Sequence, residues 1–154
     1  MLIRNSARAL LIQNNAVLVV KAVEPYGECY FLPGGGQEPG ENLRDTVQRE
    51  CMEELGAEIE VGDMLFVREY IGENHMFAQY DSMIHQVEYI FICHLKDPLQ
   101  KLTMGLNADD GQIGIEWLSL SDMAQLNFYP KAMLGYVVDY LNGKQVPTYI
   151  GDTI

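Results

Sequence analysis

The chain has 154 residues, 10 of them basic and 22 acidic, for a formal charge of −12. A surface that negative repels nucleic-acid backbones and anionic membranes, so neither is an expected partner. Small anionic substrates meet the same repulsion unless bound cations screen it. Hydrophobic residues make up 48% and charged residues 21%, the balance of a single globular domain spanning 1–154 rather than of a disordered chain. The longest early apolar run, Ala16 to Val20, is too short for a signal core, and no stretch approaches a membrane span, so a cytoplasmic location is expected. Cys29, Cys51 and Cys93 are odd in number and unpaired by spacing; they read as reduced packing residues.

In chain order, Ser6–Ile12 and Ala16–Val23 are apolar, β-branched segments separated by Gln13-Asn14-Asn15, which predicts a hairpin. Cys29–Leu32 predicts a short strand that delivers a loop of three glycines, Gly34, Gly35 and Gly36. Tyr26, Tyr30 and Phe31 nearby could stack on a base or simply pack. Pro39-Gly40 marks a turn. Glu41–Leu55 contains no Gly or Pro and predicts a helix, closed by Gly56.

Glu58–Tyr70 reads as one strand interrupted at Gly62-Asp63. Ile71–Ser82 is polar and reads as a mobile loop, a lid or a dimer contact. His85–Lys96 alternates, with apolar residues on both faces, as a sheet sandwiched between helices requires. Glu88 is the odd group in it. A carboxylate on a covered strand needs a partner, and Glu88 reads either as a metal or water contact or as a salt bridge at the strand edge. Asp97–Asp110 is loop, and Ile113–Leu118 a strand carrying Glu116 and Trp117. Ser121 reads as an N-cap, Pro130 as a first helical position, Lys131–Leu141 as a helix over the second sheet face, and the tail from Lys144 as an irregular strap.

Within the predicted helix, Glu50, Glu53 and Glu54 stand at i, i+3 and i+4, which gathers three carboxylates on one face. Like charges at that spacing repel. Leu43, Val47 and Cys51 form a neighbouring buried stripe, so the acidic patch sits at the edge of a packed surface. Hard oxygen ligands there suit Mg²⁺ or Mn²⁺, whose charge cancels the repulsion and which readily add substrate phosphates.

Gly35, Glu41, Arg49-Glu50, Glu53-Glu54 and Gly56 together resemble the Nudix box over Gly35–Ala57, with Cys51 and Ala57 departing only where the family usually has larger aliphatic residues. The resemblance implies an α/β Nudix fold, a mixed β-sheet sandwiched between helices (α/β/α). It also implies a pyrophosphohydrolase acting on a nucleoside diphosphate linked to another group. Glu50 and Glu54 would be direct metal ligands, Glu53 a ligand or general base, and Arg49 an orienting cation. Gly35 and Gly36 would shape the loop that receives the diphosphate, and Glu41 would brace loop and helix.

The run LPGGGQEPGE, with LFVREY and HQVE beyond it, resembles the ADP-ribose pyrophosphatase branch. A proline that marks many ADP-ribose enzymes is replaced by Gly72 and Glu73. That leaves a MutT-like nucleoside triphosphate pyrophosphohydrolase as the alternative enzyme and a non-catalytic nucleotide sensor as the alternative class. The partner implied is a small nucleotide substrate, and a homodimer is expected only at family level.

Overall fold

A computed structural model describes residues 1–154. Strands β1 (Ile3–Gln13) and β2 (Ala16–Glu24) form the expected hairpin, turning at Asn14 and Asn15 with φ of 50° and 61°. Asparagine tolerates that left-handed conformation, and a two-residue turn of this hand matches strand twist. Strands β3 (Gly27–Phe31), β4 (Gly34–Gly36), β5 (Ile59–Ile71), β6 (His85–Leu95), β7 (Gln112–Ser119), β8 (Phe128–Tyr129) and β9 (Tyr149–Asp152) complete a mixed nine-stranded sheet. Its order is β8-β3-β2-β1-β6-β5-β9, with β4 paired to β1 and β7 to β2. Strand β1 ties the sheet together. It runs parallel to β6 from Ile3 to Leu11 while its other edge meets β4 first and β2 later.

Alternation sends neighbouring residues to opposite faces. On one face Ala7, Ala9, Leu11, Phe91 and Cys93 pack against Val47, Cys51 and Leu55 of helix α1 (Leu43–Leu55). On the other, Leu10, Phe66 and Ile90 pack against Met133, Leu134 and Val137 of helix α4 (Met133–Leu141). The result is the sandwich expected from the two apolar faces of β6. No helix is long and apolar enough to cross a membrane.

Several local expectations are corrected. The three glycines form strand β4, because β1 supplies the backbone pairing that glycine's poor strand propensity cannot. Helix α1 starts at Leu43 rather than Glu41, since the Asn42 side chain accepts from the Arg44 and Asp45 amides and caps it there. Ser119, not Ser121, caps α3 (Leu120–Gln125), and α4 begins at Met133, past Pro130. Gly56 closes α1 at φ 61°, and a register shift marks the Gly62-Asp63 interruption, both as read.

The tail is not wholly irregular, because Tyr149–Asp152 adds a parallel edge strand to β5. Residues 71–82 are ordered through a 3₁₀ turn (Gly72–Asn74) and helix α2 (Ala78–Asp81). Phe77 pins that segment by stacking on Tyr26 at 3.8 Å between ring centroids.

Candidate active site

Helix α1 aims Glu50 and Glu54, one turn apart, at the glycine strand; both are buried. The Gly34 amide donates to Glu54 Oε2 at 2.7 Å. A methyl group on Gly35 would sit 2.5 Å from the Glu50 carboxylate, so only glycine lets that carboxylate lie against the strand. Asp109 completes the group. Its carboxylate and those of Glu50 and Glu54 come within 4.8 Å of one another. The loop carrying Asp109 is fixed to the end of α1: Thr103 N donates to Leu55 O, and Gln112 Nε2 donates to Glu54 O at 2.9 Å.

Burial raises the Glu54 carboxyl to about 8, outweighing the nearby Arg8 charge and the Gly34 amide. Burial also raises Glu50, against the pull of Arg49. These are carboxylates short of positive charge. Three hard oxygen donors so placed fit a divalent cation of the Mg²⁺ or Mn²⁺ type, which would replace the missing compensation.

Arg49 organises the rim. Its guanidinium donates to Glu41 at 2.6 Å, Glu50 at 3.0 Å, Glu53 at 3.2 Å and the Gly36 carbonyl at 2.9 Å. Glu41 also accepts from the Glu38 amide and the Thr46 hydroxyl, and Arg49 foremost holds its carboxyl down at about 2. Glu41 is thus joined through Arg49 to the Gly36 carbonyl of the glycine strand. Glu53, half-buried, turns to Arg49 and stands outside the convergent group, whose third member is Asp109 instead.

Glu88 is neither at a sheet edge nor in the convergent acidic group. It lies mid-sheet on β6, between Ser6 of β1 and Arg68 of β5. Arg8 Nε donates to it at 3.1 Å, Arg68 Nε at 2.5 Å and Gln86 Nε2 at 2.7 Å. Burial alone would raise this carboxyl; Arg68 and Arg8 overcome it and hold the group at about 2. Arg8 Nη1 reaches the Leu32 and Gly34 carbonyls, and Arg68 Nη1 the Thr153 carbonyl, so the triad links β1, β5, β6, the start of β4 and the tail.

Two cavities meet at Arg8 and Gln86. One, of about 180 Å³, is lined by Tyr26, Phe31, Tyr70, Phe77 and Tyr129 with the arginine–Glu88 triad. The other, of about 400 Å³, has no hydrophobic lining and runs past Arg4, the glycine strand, Glu50 and Asp109. Tyr26 and Phe31 therefore face a cavity, whereas Tyr30 is core. Trp117 is partly exposed.

An aromatic slot that shares Arg8 and Gln86 with a polar trough, beside buried carboxylates short of positive charge, has the form of a site for a phosphorylated small molecule. Comparison with known proteins agrees. The family described as NUDIX domain matches residues 2–135, and this chain belongs to the Nudix hydrolase family. An ADP-ribose pyrophosphatase of Methanocaldococcus jannaschii is 26% identical over 135 residues, 87% of this chain and 72% of that protein. The mouse protein "Nucleoside diphosphate-linked moiety X motif 6" is 26% identical over 114 residues, 74% of this chain and 33% of its own length; this chain thus spans about a third of it. A NUDIX hydrolase structure from Nitrosomonas europaea superposes with a TM-score of 0.69 at 19% identity, covering 94% of this chain and 92% of that one.

Proposed function

We propose that the chain hydrolyses the pyrophosphate bond of a nucleoside diphosphate linked to another group, with a divalent cation, Mg²⁺ or Mn²⁺, as cofactor. The observation that carries this is the convergence of Glu50, Glu54 and Asp109 beside the glycine strand, where Glu50 and Asp109 line a polar trough that shares Arg8 and Gln86 with an aromatic cavity. Glu50, Glu54 and Asp109 would hold the cation, which when bound would neutralise phosphate charge and acidify water.

The remaining steps belong to the chain itself. Gly35 and Gly36 present bare backbone to the diphosphate, and Arg49 fixes the directions of Glu50 and Glu53 by charge-assisted hydrogen bonds. Glu53, the more exposed carboxylate of the helix, is our candidate general base, and Glu41 keeps Arg49 in register. Glu88 lines the substrate cavity and acts through Arg8 and Arg68, which it holds in place. The aromatic slot receives the base, since ring faces stack on any nucleobase.

ADP-ribose or a related nucleotide sugar is the first candidate substrate, supported by the name of the archaeal relative. Nucleoside triphosphates are the second; a stretch of 55 residues is 42% identical to a nucleoside triphosphatase of Enterobacter, covering 33% of this chain and 39% of that protein. The test is a panel of ADP-ribose, nucleotide sugars, dinucleoside polyphosphates and triphosphates with Mg²⁺, read by product identification. AMP with ribose 5-phosphate supports the first reading and inorganic pyrophosphate the second. Turnover of none of them would overturn the proposal.

A further inference from the structure

Arg4 is an exposed guanidinium with no ion pair and no side-chain hydrogen bond, in a protein with more than twice as many acids as bases. The cations on the catalytic helix and in the triad are already committed: Arg49 to Glu41, Glu50 and Glu53, Arg8 and Arg68 to Glu88, and Arg44 to the Val61 carbonyl. Arg4 lies instead across Gly36. A methyl group there would sit 2.6 Å from its Nη2. Arg4 and Arg8 are the two cationic residues that line the polar trough.

The register explains how arginines and carboxylates come to share that trough. Arg4, Ser6 and Arg8 alternate along β1 and point to one face, where Ser6 pairs with Gly36 and Arg8 with Gly34. Gly35 turns to the opposite face, toward Glu50. Strand β4 pairs with β1 alone, and with no side chains of its own it lets cations from one face and carboxylates from the other meet along its length. On the cationic face the Ser6 hydroxyl, between the two arginines, is buried without a partner.

We infer that Arg4 is a specificity-determining residue, which anchors a phosphate carried by the non-nucleoside half of the substrate. The inference rests on the proposed pyrophosphohydrolase reading and deepens it. With the base in the aromatic slot and the scissile bridge at the carboxylates, the remaining half of the substrate lies in a trough lined by no hydrophobic residue. An uncommitted guanidinium there favours a phosphate-terminated group over a neutral sugar, because guanidinium–phosphate bonds are charge-assisted and bidentate, so of the two candidate substrates Arg4 weighs for the nucleoside triphosphate and against the order that the archaeal relative's name suggests.

The test compares wild type, Arg4→Gln, Arg4→Lys and Gly36→Ala on a nucleoside triphosphate and on ADP-ribose with Mg²⁺. Arg4→Gln should lower kcat/KM on the triphosphate about tenfold more than on ADP-ribose, chiefly through KM, as expected for loss of one charged hydrogen-bonding partner. Arg4→Lys should recover part of that loss, and Gly36→Ala, which pushes the guanidinium aside, should reproduce its direction. Equal losses on both substrates, or none, would overturn the role of Arg4. Calorimetric binding of inorganic pyrophosphate with Mg²⁺ to wild type and Arg4→Gln keeps the two ideas separable. If wild type cleaves no nucleotide, the hydrolase reading fails, while an at least fivefold weaker pyrophosphate affinity in Arg4→Gln still supports the anchor and equal affinities reject it.

Discussion

Glu54 and Glu88 are the same residue type, both buried, and both within the electrostatic reach of Arg8, yet their carboxyls sit at about 8 and about 2. Desolvation pushes both upward; what differs is compensation. Glu88 has two guanidiniums in direct contact, while Glu54 has one backbone amide and two acidic neighbours, Glu50 and Asp109. A buried charge that the fold neutralises itself is part of the fold. One that the fold leaves short of positive charge is stable only when something from outside supplies it.

The largest effect should come from breaking the compensated cluster. Glu88→Gln leaves two arginines buried beside a neutral amide, and unfolding in denaturant should show a loss of about 3–5 kcal/mol, with or without Mg²⁺. Glu54→Gln should behave oppositely. Turnover under saturating Mg²⁺ should fall by about 10²–10³, the scale of losing one strong electrostatic stabiliser in a catalytic site, while stability in chelator should hold or rise, because a buried proton-hungry group has been removed.

The pH windows of the two clusters are also separate. The Glu54 pKa is raised from its ordinary 4.5 to about 8, so its contribution is fully present below 4.5 and is lost as pH rises toward 8. The Glu88 pKa is lowered from 4.5 to about 2, so its contribution is present above 4.5 and is lost as pH falls through 2. Thermal melts in chelator should therefore decline from pH 5 to pH 9, and added Mg²⁺ should recover more stability at the alkaline end. A smaller effect is expected from Asp109→Asn, which removes one exposed donor from three. It should weaken Mg²⁺ binding about tenfold or less in a calorimetric titration, on the scale of about 1.4 kcal/mol per decade.

What could be read along the chain and what could not follows the same division between local and non-local causes. The acidic helix and its closing glycine are set by residues within about two helical turns of each other, so spacing exposed them, whereas the bracing role of Glu41 was implied by the resemblance over Gly35–Ala57. Asp109 could not be found that way. It sits in an aperiodic acidic loop, and only the docking of Thr103 and Gln112 onto the end of α1 makes it a neighbour of Glu50.

Glu88 was legible as a carboxylate needing a partner, but the identity of that partner depends on β6 lying between β1 and β5, a pairing across 80 and 20 residues. The glycine run and residues 71–82 misled for a related reason. Composition marked them as irregular, and contacts distant in sequence, with β1 and with Tyr26, ordered them.

The sharpest measurement is an isothermal titration of Mg²⁺ or Mn²⁺ into wild type and Glu50→Gln/Glu54→Gln at pH 6.5 and pH 9. Saturable binding by wild type, tighter at pH 9 and accompanied by proton release at pH 6.5, with no binding by the double variant, is the predicted result. Equal cation affinity in both proteins would contradict the account.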